Sequence, residues 1–193
     1  MTKDVLVDVD VLRDQVREKY RAVASAPGES YHFHTGRPLA QRLGYDPVIV
    51  DALPDRAVES FAGVGNPFSL RRPDPGERIL DVGSGAGFDS FVAAHHVGER
   101  GMVVGVDMTS EMLKKSTETA EALGAQNVEF RDGLAEALPV EDSWADVVIS
   151  KGAHEIANLL RSVRRLLARQ VARRPPSSQK AARTNLKANA KSV

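Results

Sequence analysis

The 193-residue chain contains no cysteine, which excludes disulfides, thiolate metal sites and a cysteine nucleophile. Aromatic residues are scarce, with one Trp, three Tyr and six Phe, so little is available to build a base-stacking surface for nucleic acid. No run approaches the ~18 to 20 consecutive apolar residues of a membrane span. The opening MTKDVLVDVDVLRDQ is too acidic and too interrupted for a signal peptide. The expectation is a cytoplasmic protein that does not associate with membranes. Acidic side chains are missing from one end: from Asn158 onward there are ten Lys and Arg and no Asp or Glu, leaving 16 basic and 26 acidic residues in 1–157. A formal net charge of zero thus joins two compositions, and the basic end reads as a solvated surface, with nucleic acid not expected as a partner. An apolar fraction of 42% and this length allow one domain with a sizeable core plus appendages.

What is present is concentrated between Glu77 and Thr109, ERILDVGSGAGFDSFVAAHHVGERGMVVGVDMT. A short apolar run ending in Asp81-Val82 passes at once into Gly83-Ser84-Gly85-Ala86-Gly87 and a helix-like segment from Phe88. This pattern is a strand, a glycine turn and a helix start. A second run, Met102 to Val106, ends in Asp107, 22 residues beyond Gly85, where a βαβ unit places the tip of its second strand and where an acid can accept ribose hydroxyls. Asp81 lies where a pyrophosphate binder would gain nothing from a negative charge. A cationic ligand with a ribose fits better, and S-adenosylmethionine, with its ammonium and sulfonium, is the expected cofactor.

Along the chain, Leu12, Val16, Tyr20 and Val23 form one face of a helix over Asp10 to Val23. A loop from Ser25 to Gly36 carries His32 and His34, which alternate as a metal pair would; no third ligand follows at a recognisable spacing, so no metal is expected. Short helices are expected at Pro38 to Leu43 and Pro47 to Leu53, the second ended by Pro54, with a glycine turn at Ala62 to Pro67. Strands are expected at Arg78 to Val82, Met102 to Asp107, Val128 to Arg131 and Ala145 to Ser150, the last apolar on both faces like a buried parallel strand. Between them come helices from about Gly87 to His96 and from Thr109 to Gly124, the latter turning Met112, Leu113, Ala120 and Leu123 inward. Leu159 to Val171 reads as a basic amphipathic helix, and Arg173 to Val193, without aromatics or period, as disordered.

Together LDVGSGAGFDSFVAA, GVDMTSEML, NVEFRDGLAEALP and DVVIS resemble the successive motifs of class I S-adenosylmethionine-dependent methyltransferases over roughly Asp55 to Ser150. GVGNP and VDMTSEML are more similar to the arsenite methyltransferase-like branch. The resemblance implies that Asp81, Gly83, Ser84, Gly85 and Gly87 hold the methionine part of the cofactor, that Asp107 takes the ribose hydroxyls, and that Met108 with Gly133, Leu134 and Ala135 flanks the adenine. Many relatives have Asp where this chain has Leu134, leaving only backbone to bond the adenine amine. The branch's metalloid-binding cysteines fall at Val64 and at Lys151-Gly152-Ala153, so the implied acceptor is a small molecule other than arsenite. Tyr20, His32, His34, Lys151 and His154 are the candidate lining of its pocket.

The fold expected is therefore an α/β, three-layer, Rossmann-like class I methyltransferase sheet, truncated on its C-terminal side. Residues 1–75 form an N-terminal helical cap and approach, 76–157 the cofactor-binding core, and 158–193 the basic helix and tail. Only 43 residues follow Ser150, too few for three further strands and their helices, so the fourth strand needs cover from the helix at Leu159 or from a second copy in a homodimer. The alternative reading is a truncated, non-catalytic S-adenosylmethionine-binding remnant.

Overall fold

Four short β-branched runs, separated by segments with helical periodicity, assemble as one parallel sheet, because each connection is long enough to cross over and return in the same direction. A computed structural model describes residues 35–150, together with Val11, Asp14, Gln15, Arg17, Glu18, Arg21 and Leu167. The expected strand ends nearly all hold: β1 is Arg78–Val82, β2 Met102–Asp107, β3 Val128–Asp132 and β4 Val147–Ser150, in the order β3-β2-β1-β4. Three short helices precede the sheet, α1 (Gly36–Arg42), α2 (Pro47–Ala52) and α3 (Asp55–Val58); α4 (Phe88–Val97) joins β1 to β2, and α5 (Ser110–Leu123) joins β2 to β3. Helical positions among 11–21 match the expected N-terminal helix, although its apolar face lies outside the described residues. No helix among the described residues is long and apolar enough to cross a membrane.

Local chemistry sets the helix ends. Asp46 accepts from the Val48 N–H at 2.9 Å and Pro47 follows it, which starts α2. Gly124, left-handed at φ 61°, closes α5, with the Ala125 N–H reaching back to the Ala120 carbonyl. Pro54, expected only to end a helix, is also the residue before α3, which the sequence reading did not anticipate.

The two faces of the sheet bury different partners. Ile79 and Val103 pack under α4, with Ala120 of α5 and with Ala40, Tyr45, Ile49, Val50, Val58 and Phe61, so the cap segment and the sheet share one core. The opposite residues Leu80, Val82, Val104 and Val106 are covered, among the described residues, by Leu138 and Ala145 with Trp144 and Val140. Two expectations need correction. On α5 the buried positions are Met112, Ser116, Thr119 and Ala120; Leu113 is half-buried and Leu123 is 41% exposed. Ser116 and Thr119 tolerate burial because their hydroxyls donate to the Leu113 and Lys115 carbonyls of the same helix. Strand β4 starts at Val147 rather than Ala145, and all four of its residues are half-buried rather than buried on both faces. Asp146 closes its start by accepting from the Arg78 N–H at 2.8 Å and donating its own N–H to the Arg78 carbonyl. The strand is half-buried because it has a neighbour on one side only among the described residues.

Phe130 of β3 fixes how closely α4 can approach. Its ring occupies the space that a side chain at Gly105 or Gly87 would need: a Cβ at Gly105 would lie 2.6 Å from Phe130 Cδ1, and one at Gly87 2.6 Å from Phe130 Cζ. Phe91 of α4 meets the same ring edge-on at 5.6 Å. Gly105→Ala is expected to lower unfolding stability by about 1–3 kcal/mol through overpacking. A urea midpoint indistinguishable from that of the parent would show that Phe130 yields at no cost.

Candidate cofactor site

The carboxyl ends of parallel strands converge where β1 and β2 hand over to α4 and α5, and helix N-termini there aim N–H groups at a common hollow. The Gly83-Ser84-Gly85-Ala86-Gly87 turn lies in that place. Gly83 and Ser84 both donate to the Val106 carbonyl, at 2.8 and 3.1 Å, which lays the turn across the end of β2. Gly85 has φ +55°, and a Cβ there would meet nothing within 4 Å. The turn therefore borders open space on the side where a ligand would approach, and only glycine adopts this conformation without strain.

Asp107 holds the turn in place. Its Oδ2 accepts from the Gly85 N–H at 2.8 Å and its Oδ1 from the Thr109 N–H at 2.9 Å, so one carboxylate links the cradle to the start of α5. The Thr109 hydroxyl and the Met108 N–H also bear on this carboxylate, so donors from the turn and from the start of α5 converge on it. Although Asp107 as a whole is only half-buried, its carboxyl group is enclosed, and this desolvation raises its pKa against the lowering effect of the Gly85, Thr109 and Met108 N–H groups.

Asp81 lies 4% exposed on the α4 side of the sheet, where its carboxylate accepts from the Ser90 hydroxyl at 2.7 Å. Ser84 is 9% exposed, and its Oγ, turned toward Gly105, has no hydrogen-bond partner among the described residues. Its part in the turn is made by backbone. Met108 is half-buried next to Asp107, and the Gly133 N–H donates to the Asp107 carbonyl at 3.1 Å, which brings half-buried Gly133, Leu134 and Ala135 to the same rim. Leu134 pairs with Ala137 in a small antiparallel bridge. The ten expected cofactor residues thus lie at or just beyond the carboxyl ends of β1, β2 and β3. Of the expected acceptor pocket, Tyr20, His32, His34, Lys151 and His154 all lie outside the described residues, while Val64, at the position of one family cysteine, is 84% exposed.

Sequence reasoning missed three polar residues beside the turn. Asp89 and Ser90, in the first turn of α4, are 5% and 0% exposed, and Asp89 accepts from the Tyr45 hydroxyl at 2.6 Å. The available signal was an Asp-Ser pair inside the otherwise apolar FDSFVAAHHV, since a buried acid requires donors.

A family model described as a methyltransferase domain matches residues 73–188. The chain belongs to this methyltransferase domain family. It is 41% identical over 157 residues to an arsenite methyltransferase of Halobacterium salinarum, covering 74% of this chain and 40% of that one. Over 74 residues it is 40% identical to a demethylmenaquinone methyltransferase of Bacillus cereus, covering 38% of this chain and 31% of that one. Among solved structures, an arsenic(III) S-adenosylmethionine methyltransferase from Chlamydomonas reinhardtii superposes with a TM-score of 0.56 at 35% identity, covering 62% of this chain and 44% of that chain. The methyltransferase domain described here thus spans less than half the length of each of these relatives.

Because the folded-state pKa of Asp107 is raised, its stability contribution relative to Asp107→Asn is fully present below the ordinary value of about 3.9 and declines as pH rises through the raised value. Urea midpoints of the two proteins between about pH 3 and 7 should diverge in that direction. A difference that grows with pH instead would mean that the N–H donors outweigh the desolvation.

Proposed function

We propose that the protein is an S-adenosylmethionine-dependent methyltransferase whose acceptor is a small molecule other than arsenite. The observation that carries this reading is the pairing of an open cradle at Gly85 with an Asp107 carboxylate anchored beside it at the tip of β2. Asp81, Gly83, Ser84 and Gly87 frame the methionine end, Asp107 takes the ribose, and Met108, Gly133, Leu134 and Ala135 border the adenine. When bound, the cofactor supplies an electrophilic methyl on a sulfonium. An acceptor lone pair would take that methyl as the carbon–sulfur bond broke, which would leave a thioether, and any proton on the acceptor would pass to solvent. Proximity and alignment are sufficient for such a transfer, so no general acid or base is assigned.

The acceptor side is built by the N-terminal cap, with Tyr20, His32 and His34, and by Lys151 and His154. Relatives of similar identity are named for acceptors as different as arsenite and demethylmenaquinone, so membership in the family leaves the acceptor open. Trivalent arsenic is thiophilic, and this chain offers Val64 where the branch has a thiolate and contains no cysteine elsewhere. We assign the enzyme to the cytoplasm. The cap at 1–75, the core at 76–157 and the basic segment at 158–193 are its functional divisions, and a second copy in a homodimer covers β4.

Asp107→Ala should weaken S-adenosylmethionine binding by about 2 kcal/mol, since hydrogen bonds to a charged acceptor are lost. Gly85→Val should abolish it, because the branched side chain enters the cradle and the backbone needs φ > 0. Calorimetry giving unchanged affinity for both variants would remove the turn from the site.

Supplied with arsenite, a thiol and S-adenosylmethionine, the purified chain should yield no more methylarsenical than its Asp107→Ala variant, read by mass spectrometry. Product above that control would mean that a group other than a thiolate anchors arsenic.

A further inference from the structure

Tyr45 lies between α1 and α2, outside every motif of the glycine turn, yet it is only 5% exposed. Its ring is held edge-on by Phe61 at 5.5 Å, Phe68 at 6.1 Å and Phe88 at 4.9 Å. Packing thereby fixes where its hydroxyl points. The hydroxyl donates to Asp89 Oδ1 at 2.6 Å and lies 3.2 Å from the Gly65 carbonyl oxygen. Asp89 belongs to the first turn of α4, two residues past the left-handed Gly87 that ends the glycine turn. Gly65 belongs to the loop that leaves Phe61 and carries the exposed Val64. One phenol therefore stands between the helix that starts at the glycine turn and the loop at 62–66.

The electrostatics keep this contact one-directional. Burial, with the charges of Asp89 and Asp81 nearby, raises the Tyr45 pKa far above its ordinary value, so the phenol remains a donor throughout the physiological range. A buried carboxylate that loses one of its donors is held less firmly in place.

We infer that Tyr45 is a positioning residue for methyl transfer: through Asp89 it sets the first turn of α4 against the glycine turn. The inference rests on the reading that the glycine turn binds S-adenosylmethionine.

Tyr45→Phe removes only the hydroxyl and leaves the aromatic packing, so the variant retains its fold. Calorimetry should show affinity for S-adenosylmethionine lowered about tenfold, and for S-adenosylhomocysteine to the same extent, because geometry rather than ligand charge is affected. In the parent, S-adenosylmethionine should slow hydrogen exchange across residues 85–91; in Tyr45→Phe that protection should be lost. A merely structural tyrosine would lower the melting temperature of the variant while leaving affinity within about twofold and the ligand-dependent protection intact, and that result overturns the inference. Absence of binding by the parent overturns the reading of the turn itself, a distinct outcome.

Discussion

Two backbone N–H groups from different elements, Gly85 and Thr109, meet on the Asp107 carboxylate. Without this contact the glycine turn would be a free loop, since only the two hydrogen bonds from Gly83 and Ser84 to Val106 would hold it to β2. With it, the turn, the tip of β2 and the N-terminus of α5 become one rigid corner. Desolvation of the carboxyl opposes this arrangement, and the converging N–H donors offset it only in part. The same residue thus anchors the turn while standing half-buried at the end of β2.

The strand ends were legible because period and punctuation agree: β-branched runs bounded by Gly, Asp and Asn leave little choice of boundary, and β1 and β2 match residue for residue. The motif residues were legible for the same reason, the glycines and acids standing at spacings that a βαβ corner requires. Contacts between distant segments were not. Nothing local to Tyr45 indicates that its hydroxyl will meet Asp89, 44 residues away. Nor does the α5 sequence reveal that Ser116 and Thr119, rather than Leu123, turn inward. Helical periodicity counts apolar residues, whereas this face admits hydroxyls that are satisfied within their own helix.

The cap is less separate than its composition implies. Tyr45, Ile49, Val58 and Phe61 belong to the same buried cluster as Ile79, Val103 and Phe91, and Lys115 of α5 bonds Glu59 at 2.6 Å and Ser60 at 2.7 Å. Such exposed or half-exposed ion pairs add little energy. The apolar cluster therefore bears most of the attachment, while the ion pairs fix the angle at which α3 meets α5.

The wedge made by Phe130 bears on how this sheet can vary. A central strand ordinarily gains from a β-branched residue at every position, and β2 gives that up at Gly105 solely to admit an aromatic ring from its neighbour. Positions 105 and 130 are consequently not free to drift one at a time. The pair acts as a spacer, and its thickness sets the height at which the glycine turn stands above the strands.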